Sequence, residues 1–210
     1  MSALNKAFEW ITKIAYLNLL WLGFTILGLI VFGLFPATAA TFTVARKWMT
    51  GYPDVAIFKT FWKAFNQSLL QSNLLGYLMV GIAYILYLDF LFITLVQNDY
   101  IMLFTIPFIF ISILFALTAL YIFPVYVYFE MKFFQIIKSA FFIMILNPMP
   151  TLIMCLGSFG IIFILWQFQG LALFFSLSLL AVALMMPAIK AFDKVQKKKL
   201  YNKNQTLSDF

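Results

Sequence analysis

The sequence contains no histidine and only one cysteine, Cys155, among its 210 residues. It therefore lacks a disulfide framework within the chain, histidine-containing metal sites and histidine-based acid–base catalysis. Charged residues are also scarce, at 10% of the chain, and no phosphate-binding loop, zinc-ligand spacing or nucleophile motif occurs. We therefore expect no enzymatic activity, no cofactor and no bound metal.

The sequence is rich in apolar residues instead. They make up 65% of the chain and give it a mean hydropathy of +1.01, which no soluble core of this size could bury. The lipid bilayer must then be the solvent, and we predict an all-α, polytopic transmembrane helix bundle. The net charge of +7 lies mostly at the ends of the apolar runs, where anionic headgroups account for it, so no nucleic-acid partner is expected.

The apolar runs predict membrane helices at residues 16–34, 74–96, 101–129, 150–166 and 171–189. Lys and Arg cluster in segments 46–63, 132–138 and 190–203, whereas the turns at 97–100 and 166–170 have none. Basic segments of inner-membrane proteins face the cytoplasm. This pattern predicts a multi-pass protein of the plasma membrane, with both turns on the outer side.

The region after Pro36 allows two interpretations. A short, tilted second helix gives six crossings and places both termini in the cytoplasm, whereas one long helix from residue 14 to 47, kinked at Pro36, gives five and places the N-terminus outside. We favour the short helix because it keeps every Lys and Arg inside. The bundle of five to six helices occupies residues 1–192, and a basic, polar cytoplasmic tail, expected to be disordered, occupies 193–210.

Polar residues inside the apolar regions are the candidates for a site. Asp89 is an intramembrane carboxylate, which costs about 2.5 to 3.5 kcal/mol to insert. It is either a structural tie to the free N–H groups of the helix that begins at Pro36, or a proton or substrate site. Asn147 precedes a proline-broken helix start at membrane depth and is a second candidate. Asn18 lies near an inner boundary, where interfacial solvation explains it.

Two segments, 3–14 and 58–69, show the helical spacing of amphipathic helices that lie at the membrane interface. In the second segment, large aromatic residues repeat on one face beside Lys59 and Lys63. This face either lies on the inner leaflet or docks on a partner protein. The candidate docking residues are Phe58, Phe61, Trp62 and Phe65.

Three motifs occur in order along the first half of the chain: Leu-Asn-x-x-Trp at 17–21, Phe-Pro-Ala-Thr-Ala-Ala at 35–40 and Arg-Lys-Trp at 46–48. With them, residues 14–90 resemble the YesL-like family of small bacterial integral membrane proteins, whose function is unknown. The resemblance implies a membrane protein that is often encoded beside carbohydrate ABC importers and polysaccharide-degrading enzymes. It carries no established binding or catalytic residues.

The hypothesis that follows is an accessory or interaction partner of a carbohydrate-uptake system, in contact with the permease subunits of an ABC importer. The alternative is a self-contained small-solute transporter that uses Asp89 and the proline-broken helices. The sequence assigns no oligomeric state.

Overall fold

The computed structural model describes residues 3–95 and 101–208, with side chains described for 4–95 and 103–197. Within these ranges the chain forms seven helices and no strand, which confirms the predicted all-α bundle. The helices are α1 (Ala3–Leu27), α2 (Leu34–Met49), α3 (Ile57–Leu95), α4 (Ile101–Tyr128), α5 (Phe133–Leu146), α6 (Pro148–Gln167) and α7 (Gln169–Ser208).

Five of these helices are long and apolar enough to cross a membrane: α1, α3, α4, α6 and α7. Helix α5 has 14 residues and α2 has 16, which at 1.5 Å per residue gives α2 a length of about 24 Å. That is less than the ~30 Å of a bilayer's hydrocarbon core. The five candidate spans agree with the lower number of the predicted five to six membrane helices, and α2 is not among them. The predicted turn at 97–100 lies outside the described residues.

Helices α1 and α2 form an antiparallel hairpin. The Trp10 and Trp48 rings lie 5.5 Å apart, and the Trp21 indole N–H donates to the Thr38 hydroxyl over 3.1 Å. A single helix from residue 14 to 47 would hold the two tryptophan rings far apart, so the kinked-helix interpretation is wrong. The reversal occurs between Leu27 and Leu34, where two residues adopt left-handed backbone conformations.

The turn of this hairpin is apolar and exposed, and it lies beside the middle of α3. Two side chains of α3 satisfy its backbone carbonyls: the Tyr77 hydroxyl donates to Val31, and the Asn73 amide donates to Phe32 over 3.1 Å. Irregular backbone is stable in hydrocarbon only when its polar groups are paired in this way. The hairpin can therefore end inside the membrane.

Helix α2 is the central helix of the bundle. It contacts α1, α3, α4 and α7, and the small residues of its first half allow these neighbours to approach closely. Ten of its 16 residues are buried. They are Pro36, Ala37, Thr38, Ala39, Ala40, Thr41, Phe42, Val44, Ala45 and Trp48.

Two predicted boundaries are wrong because the helices continue through them. The amphipathic segment 3–14 leads straight into the first membrane helix, as predicted, within α1, whereas segment 58–69 is not a separate helix but the first part of α3. Helix α7 likewise continues past Asp193 to Ser208, where a disordered tail was expected. No glycine or proline interrupts any of these junctions, and the Lys and Gln residues of the tail favour a helix.

The turn between α6 and α7 lies beside the first half of α1. Leu165 and Leu171 share an apolar cavity of about 320 Å³ with Ile11. Lys13, two residues further along α1, donates to Asp54 over 3.0 Å in the segment predicted to be cytoplasmic. Residues 166–170 therefore lie close to that segment. The pattern of basic residues predicts instead that a membrane thickness separates the two, and this prediction is wrong.

The close contact between α2 and α3 yields a stability prediction. A β-carbon on Gly76 would lie 2.2 Å from the Phe35 ring, whereas one on Gly81, on the same helix, would meet nothing within 4 Å. We expect Gly76→Ala to lower the free energy of unfolding by about 1 to 3 kcal/mol. Gly81→Ala should be neutral or stabilising, because alanine favours helix. Thermal unfolding in detergent measures both, and equal stabilities would contradict this packing.

Candidate functional site

Asp89 lies in the C-terminal half of α3, in a groove of about 380 Å³ between α3 and α4. The rest of its lining is apolar, and within the described residues Asp89 makes no hydrogen bond or ion pair. The turn that leads into α2 contacts Tyr77 instead, twelve residues earlier, or about 18 Å along the helix. The predicted tie between Asp89 and the helix that begins at Pro36 is therefore wrong.

The other two candidate positions have local roles. Pro36 is buried in the first turn of α2, where a missing N–H costs no helical hydrogen bond. Asn147 is 2% exposed and joins α5 to α6: its side-chain amide donates to the Ile143 carbonyl over 3.0 Å, and its own carbonyl accepts from the Thr151 N–H. Asp89 and Asn147 thus have different neighbours, and the described contacts bring neither together with Pro36 in one site.

The candidate docking face divides into two buried and two exposed residues. Phe61 and Phe65 are 0% and 8% exposed and belong to the core formed with α1 and α2. Phe58 and Trp62 are 52% and 49% exposed. The prediction of a four-residue surface is wrong, because α1 covers half of it.

Phe24 of α1 is the residue that covers this face. Its ring centroid lies between 5.1 and 6.4 Å from all four aromatic rings. Such aromatic pairs contribute about 0.5 to 1.5 kcal/mol each beyond the area they bury. Phe58 and Trp62 therefore pack against Phe24 on one side, while about half of each side chain remains accessible.

Asn18 is the polar residue whose importance the sequence did not reveal. It is fully buried, and its side-chain amide donates to the Leu173 carbonyl over 2.8 Å. Its side-chain oxygen accepts from the N–H groups of Leu177 and Ser178 over 3.0 and 3.2 Å. Leu173 and Leu177 are backbone partners in a regular α-helix, so Asn18 enters the hydrogen-bond ladder of α7. Only its place in the Leu-Asn-x-x-Trp motif hinted at this role.

A polar cavity of about 630 Å³ opens where the end of α2 meets α3 and the end of α4. Arg46 reaches across it and donates to the backbone carbonyl of Val127. Gln71 and Glu130 are among its other lining residues. Burial lowers the pKa of the Arg46 guanidinium, and Tyr128 and Glu130 oppose that shift, but arginine remains charged at neutral pH.

A second cavity, of about 410 Å³, lies on the α2–α3 side of Arg46. Its lining carries four cationic side chains and no carboxylate. Chemically, this arrangement favours the binding of an anion. The cations are Arg46, Lys47, Lys59 and Lys63.

Comparison with known proteins identifies relatives along nearly the whole chain. The family model described as "Protein of unknown function, DUF624" matches residues 14–90. The chain is 38% identical over 197 residues to the uncharacterized protein YesL of Bacillus subtilis (strain 168), covering 94% of this chain and 93% of the relative. It is 37% identical over 195 residues to the uncharacterized protein YteU of the same organism, covering 90% and 85%.

A third relative, the uncharacterized protein YesV of Bacillus subtilis (strain 168), is 31% identical over 194 residues, covering 92% of this chain and 93% of the relative. No solved structure matches the chain. The segment matched by the family model contains Asn18, Arg46 and Phe61, so it includes the residues that join α1 to α7, line both polar cavities and form the aromatic core.

The contacts of Asn18 predict its contribution to stability. Asn18→Leu keeps the approximate volume but removes the hydrogen bonds to α7, and we expect it to lower the free energy of unfolding by about 1 to 3 kcal/mol. Asn66→Leu is the matched control, because Asn66 is exposed on α3. Thermal unfolding of both variants in detergent is the measurement. Wild-type stability in Asn18→Leu would mean that the backbone groups of α7 pair with each other when Asn18 is absent.

Proposed function

Because the chain belongs to the YesL-like, DUF624 family, we propose that it is a non-catalytic membrane subunit that docks on a carbohydrate importer of the ABC type. The observation that carries the docking role is the half-exposed aromatic pair Phe58 and Trp62, held rigidly on α3 by Phe24. The identity of the partner rests on the gene neighbourhood that the resemblance implies.

The aromatic pair has the properties of an interface anchor. Phe58 and Trp62 lie one helical turn apart and therefore face the same direction. Both rings are fixed against Phe24, so docking would cost little side-chain entropy. Large aromatic residues at a well-packed centre dominate the energy of many protein interfaces. The site thus favours a protein partner whose membrane-proximal surface carries an apolar groove.

The transporter alternative has less support. A transporter holds its substrate and coupling ion with polar groups that converge near the middle of the membrane. Here Asp89 lies in an apolar groove between α3 and α4, whereas Asn147 is bonded within α5 and α6. Asn147, at the start of a proline-broken helix, therefore does not line the groove that holds Asp89.

The docking proposal predicts a selective loss of partner. Phe58→Leu with Trp62→Leu keeps the surface apolar but removes the shaped anchors, and we expect the importer's permease subunits to be lost on affinity purification. Growth on the sugar that the importer takes up should slow in parallel. Membrane abundance should change little, because leucine keeps part of the contact with Phe24 and about half of each side chain is exposed.

Tyr84→Leu with Phe90→Leu is the matched control. These aromatic residues are 60% and 51% exposed on the outer half of α3, away from the aromatic pair. The control should retain both the permeases and growth. If the Phe58 and Trp62 variant retains them as well, the pair is an interfacial membrane anchor and the docking role is refuted.

We also propose that the protein lies in the plasma membrane with both termini in the cytoplasm. Near the N-terminus, Lys13 bonds to Asp54 in the loop after α2. Near the C-terminus, the Tyr128 hydroxyl donates to Asp193 over 3.3 Å, and the adjacent Val127 carbonyl accepts from Arg46. Both ends of the chain are therefore joined to the same basic end of α2, and basic segments favour the cytoplasm.

Cysteine labelling tests this orientation. In a Cys155→Ser background, we expect Ala3→Cys and Gln205→Cys to be protected from an impermeant maleimide in intact cells and labelled after permeabilisation. Asn98→Cys, in a turn predicted to face outside, is the positive control. Labelling of either terminal cysteine in intact cells would contradict the proposed topology.

A further inference from the structure

The cavity between the end of α2 and the start of α3 concentrates positive charge without a matching negative charge. Arg46 and Lys47 come from the last turn of α2, and Lys59 and Lys63 lie one turn apart on α3. No carboxylate belongs to the lining of this cavity. Four like charges around one space repel each other, so an anion between them would stabilise the arrangement.

The cations have few partners of their own. Among the described residues, both ion pairs belong to Lys13, and none involves these four side chains. The hydrogen bond described for the Arg46 guanidinium goes to the Val127 carbonyl, which leaves further N–H groups of its fork available. Glu130 lines the larger cavity on the other side of Arg46, beyond ion-pair distance.

We propose that this cavity binds a phosphate group, with Arg46, Lys59 and Lys63 as its principal ligands. A guanidinium fork matches two phosphate oxygens, and the lysines supply point charges. The Thr60 hydroxyl and the Gln67 amide, which also line the cavity, can donate to the remaining oxygens. A volume of about 410 Å³ holds a phosphate with a small substituent such as glycerol.

The position of the cavity favours a phosphate that arrives at the membrane surface. It lies at the start of α3, before the apolar run at 74–96 and next to the half-exposed Trp62, and tryptophan is enriched at headgroup level. Basic pockets between membrane helices on the cytoplasmic side are suited to anionic headgroups. A phosphatidylglycerol headgroup and a soluble phosphate ester present the same chemistry here. This inference does not rest on the docking proposal.

The test measures binding to the purified full-length protein in a neutral detergent, by thermal shift. A short-chain phosphatidylglycerol, the matching phosphatidylcholine and inorganic phosphate are titrated separately. We expect a saturable rise in melting temperature with phosphatidylglycerol, because a ligand that binds only the folded state stabilises it. Saturation with inorganic phosphate would assign the site to a soluble phosphate compound, whereas a response to phosphatidylglycerol alone would assign it to lipid.

Lys59→Gln with Lys63→Gln is the main variant, since both side chains are exposed and their loss leaves the core intact. We expect it to weaken binding about tenfold or more. Lys190→Gln with Lys194→Gln removes the same charge from exposed positions on α7 and should bind like the wild type. Arg46→Lys keeps the charge but loses the fork, and it should weaken binding as well.

Three results would overturn the proposal: no saturable shift with phosphatidylglycerol or phosphate, an equal shift with phosphatidylcholine, or equal weakening in the cavity variant and the α7 control. The last result would reduce the effect to general attraction between a basic protein and anions. Because the lysine variants do not alter buried residues, a loss of binding in them cannot be attributed to misfolding.

Discussion

The structure depends on the enclosure of a helix that is too short to cross the membrane. Helix α2 has 16 residues, and the backbone of the turn that leads into it must find hydrogen-bond partners without help from water. Small residues in its first half let α1, α3, α4 and α7 pack closely around it. The absence of a side chain at Gly76 permits the approach of α3, because the Phe35 ring occupies the place where a β-carbon would be.

The polar side chains that matter most are consequently those that satisfy the backbone of another helix. Asn73 and Tyr77 complete the turn before α2, Asn18 completes α7, and Arg46 reaches a carbonyl at the end of α4. In water such bonds would compete with solvent, but in hydrocarbon their loss leaves unpaired groups. This explains why a chain with so few charged residues still has a defined arrangement of helices.

Sequence patterns correctly predicted those features of the fold that depend on local composition. The apolar runs indicated the membrane class and the long helices, and the positions of Lys and Arg correctly favoured a short second helix over one long kinked helix. The patterns could not predict the relative heights of neighbouring helices. Asp89 and the start of α2 were expected at similar depths in the membrane. In the structure α3 extends well beyond the hairpin turn, and neither segment alone indicates how far one helix is shifted along the other.

The same limit applies to the aromatic face and to Asn18. Helical spacing showed that Phe58, Phe61, Trp62 and Phe65 share one side of α3, but it could not show that Phe24 would cover two of them. A buried asparagine and an interfacial one look identical in sequence, and only the approach of α7 distinguishes them. Residue 193 is a different case. The residues around it favour a helix and none of them is glycine or proline, so the sequence itself is consistent with the observed continuation of α7.

The docking pair and the cationic cavity occupy neighbouring sides of the same two turns of α3. Phe61 and Phe65 anchor these turns in the core, so Phe58 and Trp62 project on one side while Lys59 and Lys63 line the cavity on the other. One rigid helical segment therefore fixes an apolar surface and a charged pocket relative to each other. A ligand in the pocket would lie beside the proposed docking surface, and its contacts with a docked partner would contribute directly to the stability of the complex.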